Sequence, residues 1–128
     1  MVLDKGKIYN LEERTLEFAK GIIRLCKKLP KDVINLKLID QVVRSSGSVG
    51  ANYREANEAS SKKDFAYRIK VTRKECKETT YWLELIKEAN PDFKKEIDFN
   101  LEESRELRNI FSSILNKAIE NTKNSKNS

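Results

Sequence analysis

The stretch RSSGSVGANYREA, residues 44–56, decides the fold because it puts three serines and two glycines into a segment with helical periodicity. An interior glycine costs a helix about 1 kcal/mol relative to alanine. At 100° per residue, the aliphatic side chains share one broad face. Ser46 and Gly50 lie on the same face and reduce its side-chain bulk. The other side of this helix carries a polar stripe: Gln41, Arg44, Ser45, Ser48, Asn52 and Glu55. We predict that neighbouring helices approach this helix closely on both sides.

The polar stripe has two interpretations. Small residues have low helix propensity, but they allow a neighbouring helix to pack closely, and this packing can offset the propensity cost. Buried polar side chains then form hydrogen bonds across the helix contact. On this interpretation Ser48, Asn52 and Glu55 are substantially buried, either within the bundle or across subunits. The alternative is a solvated face, which is more often built from Lys, Glu and Gln.

Apolar residues recur at steps of three and four in four predicted helices, at about residues 10–29, 35–59, 61–90 and 99–122. The predicted core faces of the four helices are, in order, Leu11, Thr15, Phe18, Ile22, Leu25, Cys26 and Leu29; Leu38, Ile39, Val42, Val43, Ser46, Val49, Gly50 and Tyr53; Phe65, Ile69, Thr72, Cys76, Thr79, Leu83 and Ile86; and Ser104, Leu107, Phe111, Ile114, Leu115 and Ala118. Asn10, Ser61 and Asn100 each stand three residues before an acidic side chain, which is typical of helix N-caps. Short connections between long amphipathic helices favour an all-α, antiparallel, up-and-down four-helix bundle.

The amino-acid composition indicates how the chain is organised into domains. The 128 residues are 36% charged and 38% hydrophobic, which suits one helix-rich domain over residues 1–123 and a flexible polar tail at 124–128. No apolar run approaches the ~18 residues of a membrane span, and no secretory signal is visible. Cys26 and Cys76 lie far apart in the sequence. We expect a cytoplasmic protein with two reduced thiols and no membrane contact.

The sequence contains none of the common catalytic motifs. It contains no histidine, no phosphate-binding glycine loop and no nucleophile motif. Glu55, Glu75 and Glu78 are the carboxylates that one could imagine around a metal, but di-metal bundles also supply histidines through Glu-x-x-His pairs. The sequence therefore predicts no catalysis, no metal and no cofactor.

The third predicted helix carries a basic face opposite its core stripe. Its members cluster within an arc of about 80° and are Lys63, Tyr67, Lys70, Lys74, Lys77 and Tyr81. Lysines interleaved with tyrosines are suited to hold phosphates and to stack bases. With a net charge of +6, this pattern permits a nucleic-acid partner. The alternative is an ordinary solvated face with two snorkelling tyrosines.

A second seam runs beside this basic face. It comprises Val71, Glu75, Trp82, Leu85 and Ala89, and its apolar members predict burial against another subunit. Leu16 and Ile23 on the first helix also fall outside the main core stripe and suit the same kind of contact.

Two runs of this sequence carry a family resemblance: QVVRSSGSVGANYREANEASSKKDF, residues 41–65, and KECKETTYWLELI, residues 74–86. They resemble the small bacterial four-helix bundle proteins of 23S rRNA intervening sequences, often labelled S23 ribosomal proteins. The matching positions are Gln41, Arg44, Ser45, Ser48, Asn52, Glu55, Ser61, Asp64, Phe65, Lys74, Glu75, Glu78, Thr79, Tyr81 and Trp82. Tyr53 departs from the family pattern, which usually has an isoleucine or similar residue there.

The resemblance implies an up-and-down bundle that assembles as a homopentamer around a central channel. The family is similar in architecture to the accessory protein of diversity-generating retroelements, a basic pentameric bundle that binds nucleic acid and a reverse transcriptase. The leading hypothesis is therefore a nucleic-acid-binding oligomer, with RNA favoured over DNA. The second is an oligomeric scaffold for a protein partner such as a reverse transcriptase, and the third, an enzyme, is disfavoured.

Overall fold

Four helices in cyclic order make up the bundle. The computed structural model describes residues 2–3, 7–8 and 10–127, with side chains from 10 to 124. The helices are α1 (Leu11–Lys28), α2 (Val33–Asn57), α3 (Lys62–Ala89) and α4 (Lys94–Asn127). α1 packs on α2, α2 on α3, α3 on α4, and α4 on α1. The prediction of an all-α fold with four helices is confirmed.

Two short strands precede the helices. β1 (Val2–Leu3) and β2 (Lys7–Ile8) pair antiparallel, with Val2 opposite Ile8 and Leu3 opposite Lys7. They form a two-stranded sheet, and β2 contacts α1.

Local capping determines where the first three helices begin. The Asn10 side chain accepts hydrogen bonds from the amides of Glu12 and Glu13, and Ser61 Oγ accepts from the Asp64 amide at 3.0 Å. Asp32 caps α2 in the same way, accepting from the Asn35 amide at 2.8 Å. An N-cap side chain accepts hydrogen bonds from amides that have no partner within the helix, so each of these three residues fixes the start of its helix. The first three helices lie within two residues of their predicted bounds.

The fourth helix differs from the prediction at both ends. A 3₁₀ turn, Pro91–Phe93, leads directly into α4 at Lys94, and α4 continues to Asn127, so residues 124–127 are helical and not a separate tail. Asn100 is not an N-cap. It is buried inside α4, where its Nδ2 donates to the Glu96 carbonyl at 3.0 Å. The Asn100–Glu103 spacing therefore does not mark a helix start, because the Asn100 amide bonds back to the preceding turn of its own helix.

The apolar faces of all four helices meet in one core. Most of the predicted core residues are nearly excluded from solvent, and Ile97 and Leu101, which were not predicted, join them in the cluster. Val43 is 36% exposed, and the other predicted members that are only partly buried are Leu11, Leu38, Ile39, Tyr53, Phe65 and Ile114. Cys26 and Cys76 are both buried free thiols. Since the cluster is continuous, the described helices form a single domain.

The small residues of α2 do bring neighbouring helices close on two sides. Toward α1, a Cβ added at Gly50 would lie 3.0 Å from Thr15 Oγ1, so any larger residue would require the Thr15 side chain to move by a few tenths of an ångström. Toward α3, the buried Thr79 hydroxyl donates to Ser45 Oγ at 2.8 Å. Gly47 is different: it is exposed, and an added Cβ would meet no atom within 4 Å. Close packing therefore explains Gly50 and Ser45 but not Gly47.

None of the helices among the described residues combines the length and the apolar character that crossing a bilayer requires.

Candidate nucleic-acid interface

The outward face of α3 brings the six predicted binding residues together. Lys63, Tyr67, Lys70, Lys74, Lys77 and Tyr81 are all exposed on it. From the first to the last, this α3 face extends about 27 Å at 1.5 Å per residue. The tyrosines remain 59% and 58% exposed, so each ring has a face open to a ligand.

A shallow depression of about 720 Å³ runs along this face. Besides the central lysines and both tyrosines, its lining includes Arg73, Val71, Glu78 and Trp82. Arg73 is a cation that the sequence-based prediction missed, because on a helical wheel it lies outside the arc of the six predicted residues. The depression therefore contains four basic side chains and, among its described lining, one carboxylate.

Neighbouring side chains orient the two tyrosines. The Arg68 guanidinium lies over the Tyr67 ring, 5.9 Å from its centroid, and Tyr81 meets Trp82 edge to face with centroids 5.1 Å apart. Arg68 also lies 3.5 Å from Asn52 Oδ1, where it donates a long hydrogen bond. The polar stripe of α2 is thus linked to one end of the α3 face. Arg68 is a second cation that the sequence interpretation did not single out.

The polar stripe of α2 is buried unevenly. Ser45 is fully buried, whereas Gln41, Ser48 and Asn52 are half-buried. Ser48 Oγ and Asn52 Nδ2 donate to backbone carbonyls one turn earlier in α2, at 2.9 Å each. Glu55 is exposed, so the expectation that it is buried within the bundle is wrong. It stands on the outer side of α2, away from the contact that buries Ser45.

A carboxyl pair and one arginine bridge α2 and α3 beside the depression. Glu75 Oε1 lies 3.8 Å from Arg44 Nη1, and Glu78 Oε2 lies 3.9 Å from Arg44 Nη2. Glu75 is only 7% exposed, and its Oε1 has no hydrogen-bond partner. Burial raises the pKa of Glu75 above its ordinary value, and the adjacent Glu78 carboxyl raises it further, while Arg44 and Lys74 oppose the shift. Ionised Glu75 is therefore less favourable in the folded protein than in water, so its charge at neutral pH lowers the stability of the fold.

The predicted subunit seam is already partly covered within one chain. Val71 and Trp82 are half-buried, and Trp82 packs against the core with its Nε1 unpartnered. Glu75 is already buried within one chain, so little of its surface remains for the predicted contact with another subunit. Leu85, at 36% exposed, and Ala89 are the seam residues that remain exposed.

A second apolar surface lies on the flank between α1 and α2. Glu12 pairs with Arg54 at 3.8 Å, and Thr15 faces Gly50. The antiparallel direction of the two helices then brings Ile23 level with Val43. We call this surface the α1/α2 flank; its exposed members are Leu16, Ile23, Leu36 and Val43.

The buried thiols and the carboxylates do not form a reactive cluster. Burial raises the pKa of Cys26 to about 11 and that of Cys76 to about 12, so both stay protonated at neutral pH. Within residues 10–124, no three His, Cys, Asp or Glu side chains converge as a metal site would require.

The described helices thus define a small all-α four-helix bundle with a basic, aromatic face on α3. The sequence model of the 23S rRNA-intervening sequence protein family matches residues 9–117. This chain belongs to that family.

A solved relative has the same fold. It is a protein of unknown function from the S23 ribosomal protein family of Bacteroides thetaiotaomicron VPI-5482. It is 32% identical to this chain, the alignment covers 82% of this chain and 97% of that one, and the TM-score is 0.73. None of the curated proteins compared with this chain is similar to it.

Proposed function

We propose that this protein is a non-enzymatic, cytoplasmic nucleic-acid-binding protein that uses the α3 face, with RNA favoured over DNA. One observation carries the proposal. Four lysines and two tyrosines stand exposed along one face of a single helix, and Glu78, which pairs with Arg44, is the one carboxylate among the described residues that line the depression there. The family's association with 23S rRNA intervening sequences favours RNA as the partner.

In this proposal, charged side chains and aromatic rings contribute to nucleic-acid binding in different ways. Lysine ammonium groups neutralise phosphates and release counterions, which supplies affinity without sequence preference. Open aromatic faces stack unpaired bases, and Arg73 and Arg68 add cations beside the row. A row about 27 Å long is suited to follow several nucleotides of one strand.

We propose further that the protein acts as a homo-oligomer, a homopentamer by its family resemblance. Two different apolar surfaces support this: the α1/α2 flank and the region of Leu85 beside Trp82. Contacts between unlike surfaces of identical chains are heterologous, and they close into rings when the rotation fits. A ring would repeat the α3 face, and multivalency would strengthen weak single contacts.

The test is a filter-binding comparison of single-stranded RNA, structured RNA and duplex DNA at two salt concentrations. Lys70→Glu with Lys74→Glu is the decisive variant, since both lysines lie in the centre of the α3 face. Lys37→Glu with Lys95→Glu is the matched control, because it changes the net charge equally at two exposed lysines elsewhere.

We expect binding that falls steeply with salt, a loss of at least tenfold for the decisive variant, and a much smaller loss for the control. Equal losses would mean that only the net charge matters. No binding by the unaltered protein at low salt would overturn the proposal. The scaffold hypothesis, with a reverse transcriptase or other protein as partner, would then replace it.

A further inference from the structure

A cavity of about 480 Å³ lies at the end of the bundle where the α2–α3 loop meets the last third of α4. Its volume is in the range that accommodates small molecules. None of the six residues of the α3 face that the proposed function uses contributes to its described lining.

The inner part of this end cavity is apolar. Phe65 and Ala59 line it from the α2–α3 side, and Ile114 and Ala118 line it from α4. Phe65 and Ile114 are half-buried and packed against the main core, so the cavity floor is an extension of that core. An apolar group placed there would be removed from water without unfolding any helix.

The rim of the end cavity is positively charged. It carries Lys62 and Lys117, and the described lining holds no carboxylate. Ser61, also at the rim, is the N-cap of the 28-residue helix α3, so the positive end of that helix dipole opens toward the cavity mouth. Lys117 and the N-terminal end of α3 therefore place positive charge at the border of one apolar cavity.

We propose that the end cavity binds a small amphipathic monoanion, a carboxylate carried on a short apolar chain. The chain fills the space between Phe65 and Ile114, while the carboxylate stays at the rim beside Lys117 and the start of α3. Charge complementarity selects the anion, because a cation would meet the lysines and the helix N-terminus, and a neutral group would leave them unused.

The experiment compares octanoate, 1-octanol and octylammonium as probes of the unaltered protein by methyl NMR. The Ile114 methyl reports on the end cavity, and the Ile97 methyl, about 25 Å away along α4, is the internal control. We expect octanoate to shift Ile114 and not Ile97, with at least about tenfold tighter binding than 1-octanol and no saturable binding of octylammonium.

Two variants address the two halves of the site. Ala118→Phe fills the cavity and should abolish the octanoate shift. Lys117→Glu should weaken octanoate about fivefold and leave 1-octanol unchanged, while Lys95→Glu, at an exposed lysine outside the cavity, should change neither. RNA binding through the α3 face should persist in all of them, which separates this proposal from the proposed function.

Equal binding of octanoate and 1-octanol, or equal effects of Lys117→Glu and Lys95→Glu, would overturn the choice of an anion. The absence of a saturable Ile114 shift would overturn the site itself. Should Ala118→Phe fail to fold, the surface variants and the three probes still decide the question, because they need no change to the core.

Discussion

Asn35 and Asn90 exchange two buried amide hydrogen bonds at 2.8 and 2.9 Å, joining the start of α2 to the end of α3. The remaining donor of Asn35 bonds the Pro30 carbonyl, and that of Asn90 bonds the Ile86 carbonyl. Every amide proton of the pair therefore has an acceptor. A fully satisfied buried pair specifies one arrangement of the two helices, because any shift would leave polar groups unpaired.

Replacing either asparagine of this pair should destabilise the bundle. Asn35→Leu or Asn90→Leu leaves the other amide buried without its partner, and each should lower the free energy of unfolding by about 1–3 kcal/mol. The double variant should cost less than the sum of the two, since it leaves no stranded amide. Urea denaturation measures all three, and Asn116→Leu on the exposed side of α4 is the control. Strictly additive costs would contradict the coupling.

Gly47 and Gly50 should respond in opposite ways to alanine. At Gly47 an added Cβ has open space, so Gly47→Ala should raise the free energy of unfolding by about 0.5–1 kcal/mol through helix propensity. At Gly50 the Cβ would press on the Thr15 hydroxyl, which is fully buried and donates to the Leu11 carbonyl at 2.7 Å. Gly50→Ala should therefore be the less stable of the two by about 1 kcal/mol or more. Equal thermal stability of the two variants would refute the close-packing explanation.

Glu75 should make the bundle less stable at neutral pH than at acidic pH. Its pKa is raised in the folded state, chiefly by burial, so the folded state holds its proton more tightly than the unfolded state does. The stabilisation from this proton is present at low pH and is lost as the pH rises through the folded pKa.

Glu75→Gln, which is neutral at every pH, should therefore be more stable than the unaltered protein at pH near 7 and should lose that advantage as the pH falls into the carboxyl range. Urea melts at several pH values measure this difference. Glu88→Gln, at an exposed carboxylate of α3, is the control variant. A Glu75→Gln protein that is less stable at neutral pH would show that the Arg44 ion pair outweighs burial.

Tyr67→Ala and Tyr81→Ala should weaken single-stranded RNA more than duplexes. Stacking on an aromatic ring is worth about 1–3 kcal/mol per base, or roughly tenfold in affinity, and only unpaired bases can use it. Tyr67→Phe and Tyr81→Phe keep the ring and should retain the affinity. Fluorescence anisotropy with labelled strands measures the ratio, and equal losses for single strands and duplexes would leave the tyrosines without a stacking role.

Leu85→Glu should dissociate the proposed oligomer. The substitution puts a charge on the exposed apolar residue of the seam, and buried unpaired charges are strongly unfavourable at interfaces. Phe99→Glu is the control, because Phe99 is 74% exposed on α4, away from both apolar surfaces. Light scattering coupled to size exclusion gives the masses. A monomer mass for the unaltered protein would end the oligomer proposal, and a dimer mass would end the pentamer.

The sequence by itself determined the helices, their inward faces and the exposed α3 face. These features depend on periodicity within one helix, which each local segment carries without reference to the rest of the chain. The N-caps at Asn10 and Ser61 are equally local, since the cap and the amides that it satisfies lie within three residues. The start of α4 was misjudged for the same reason: Asn100 and Glu103 match the spacing of a cap, and only the buried surroundings of Asn100 show that it lies inside a helix.

The tertiary structure alone decided which small and polar residues are partners. Ser45 meets Thr79 and Gly50 meets Thr15 because the antiparallel register of whole helices brings them level, and that register depends on how all the core side chains fill the space together. The exposure of Glu55 was settled in the same way: on α2 it occurs in one stripe with the buried Ser45, yet neighbouring helices cover one edge of that stripe and leave the other open. A helical wheel gives the direction of a side chain but not the distance to the next helix, and burial depends on that distance.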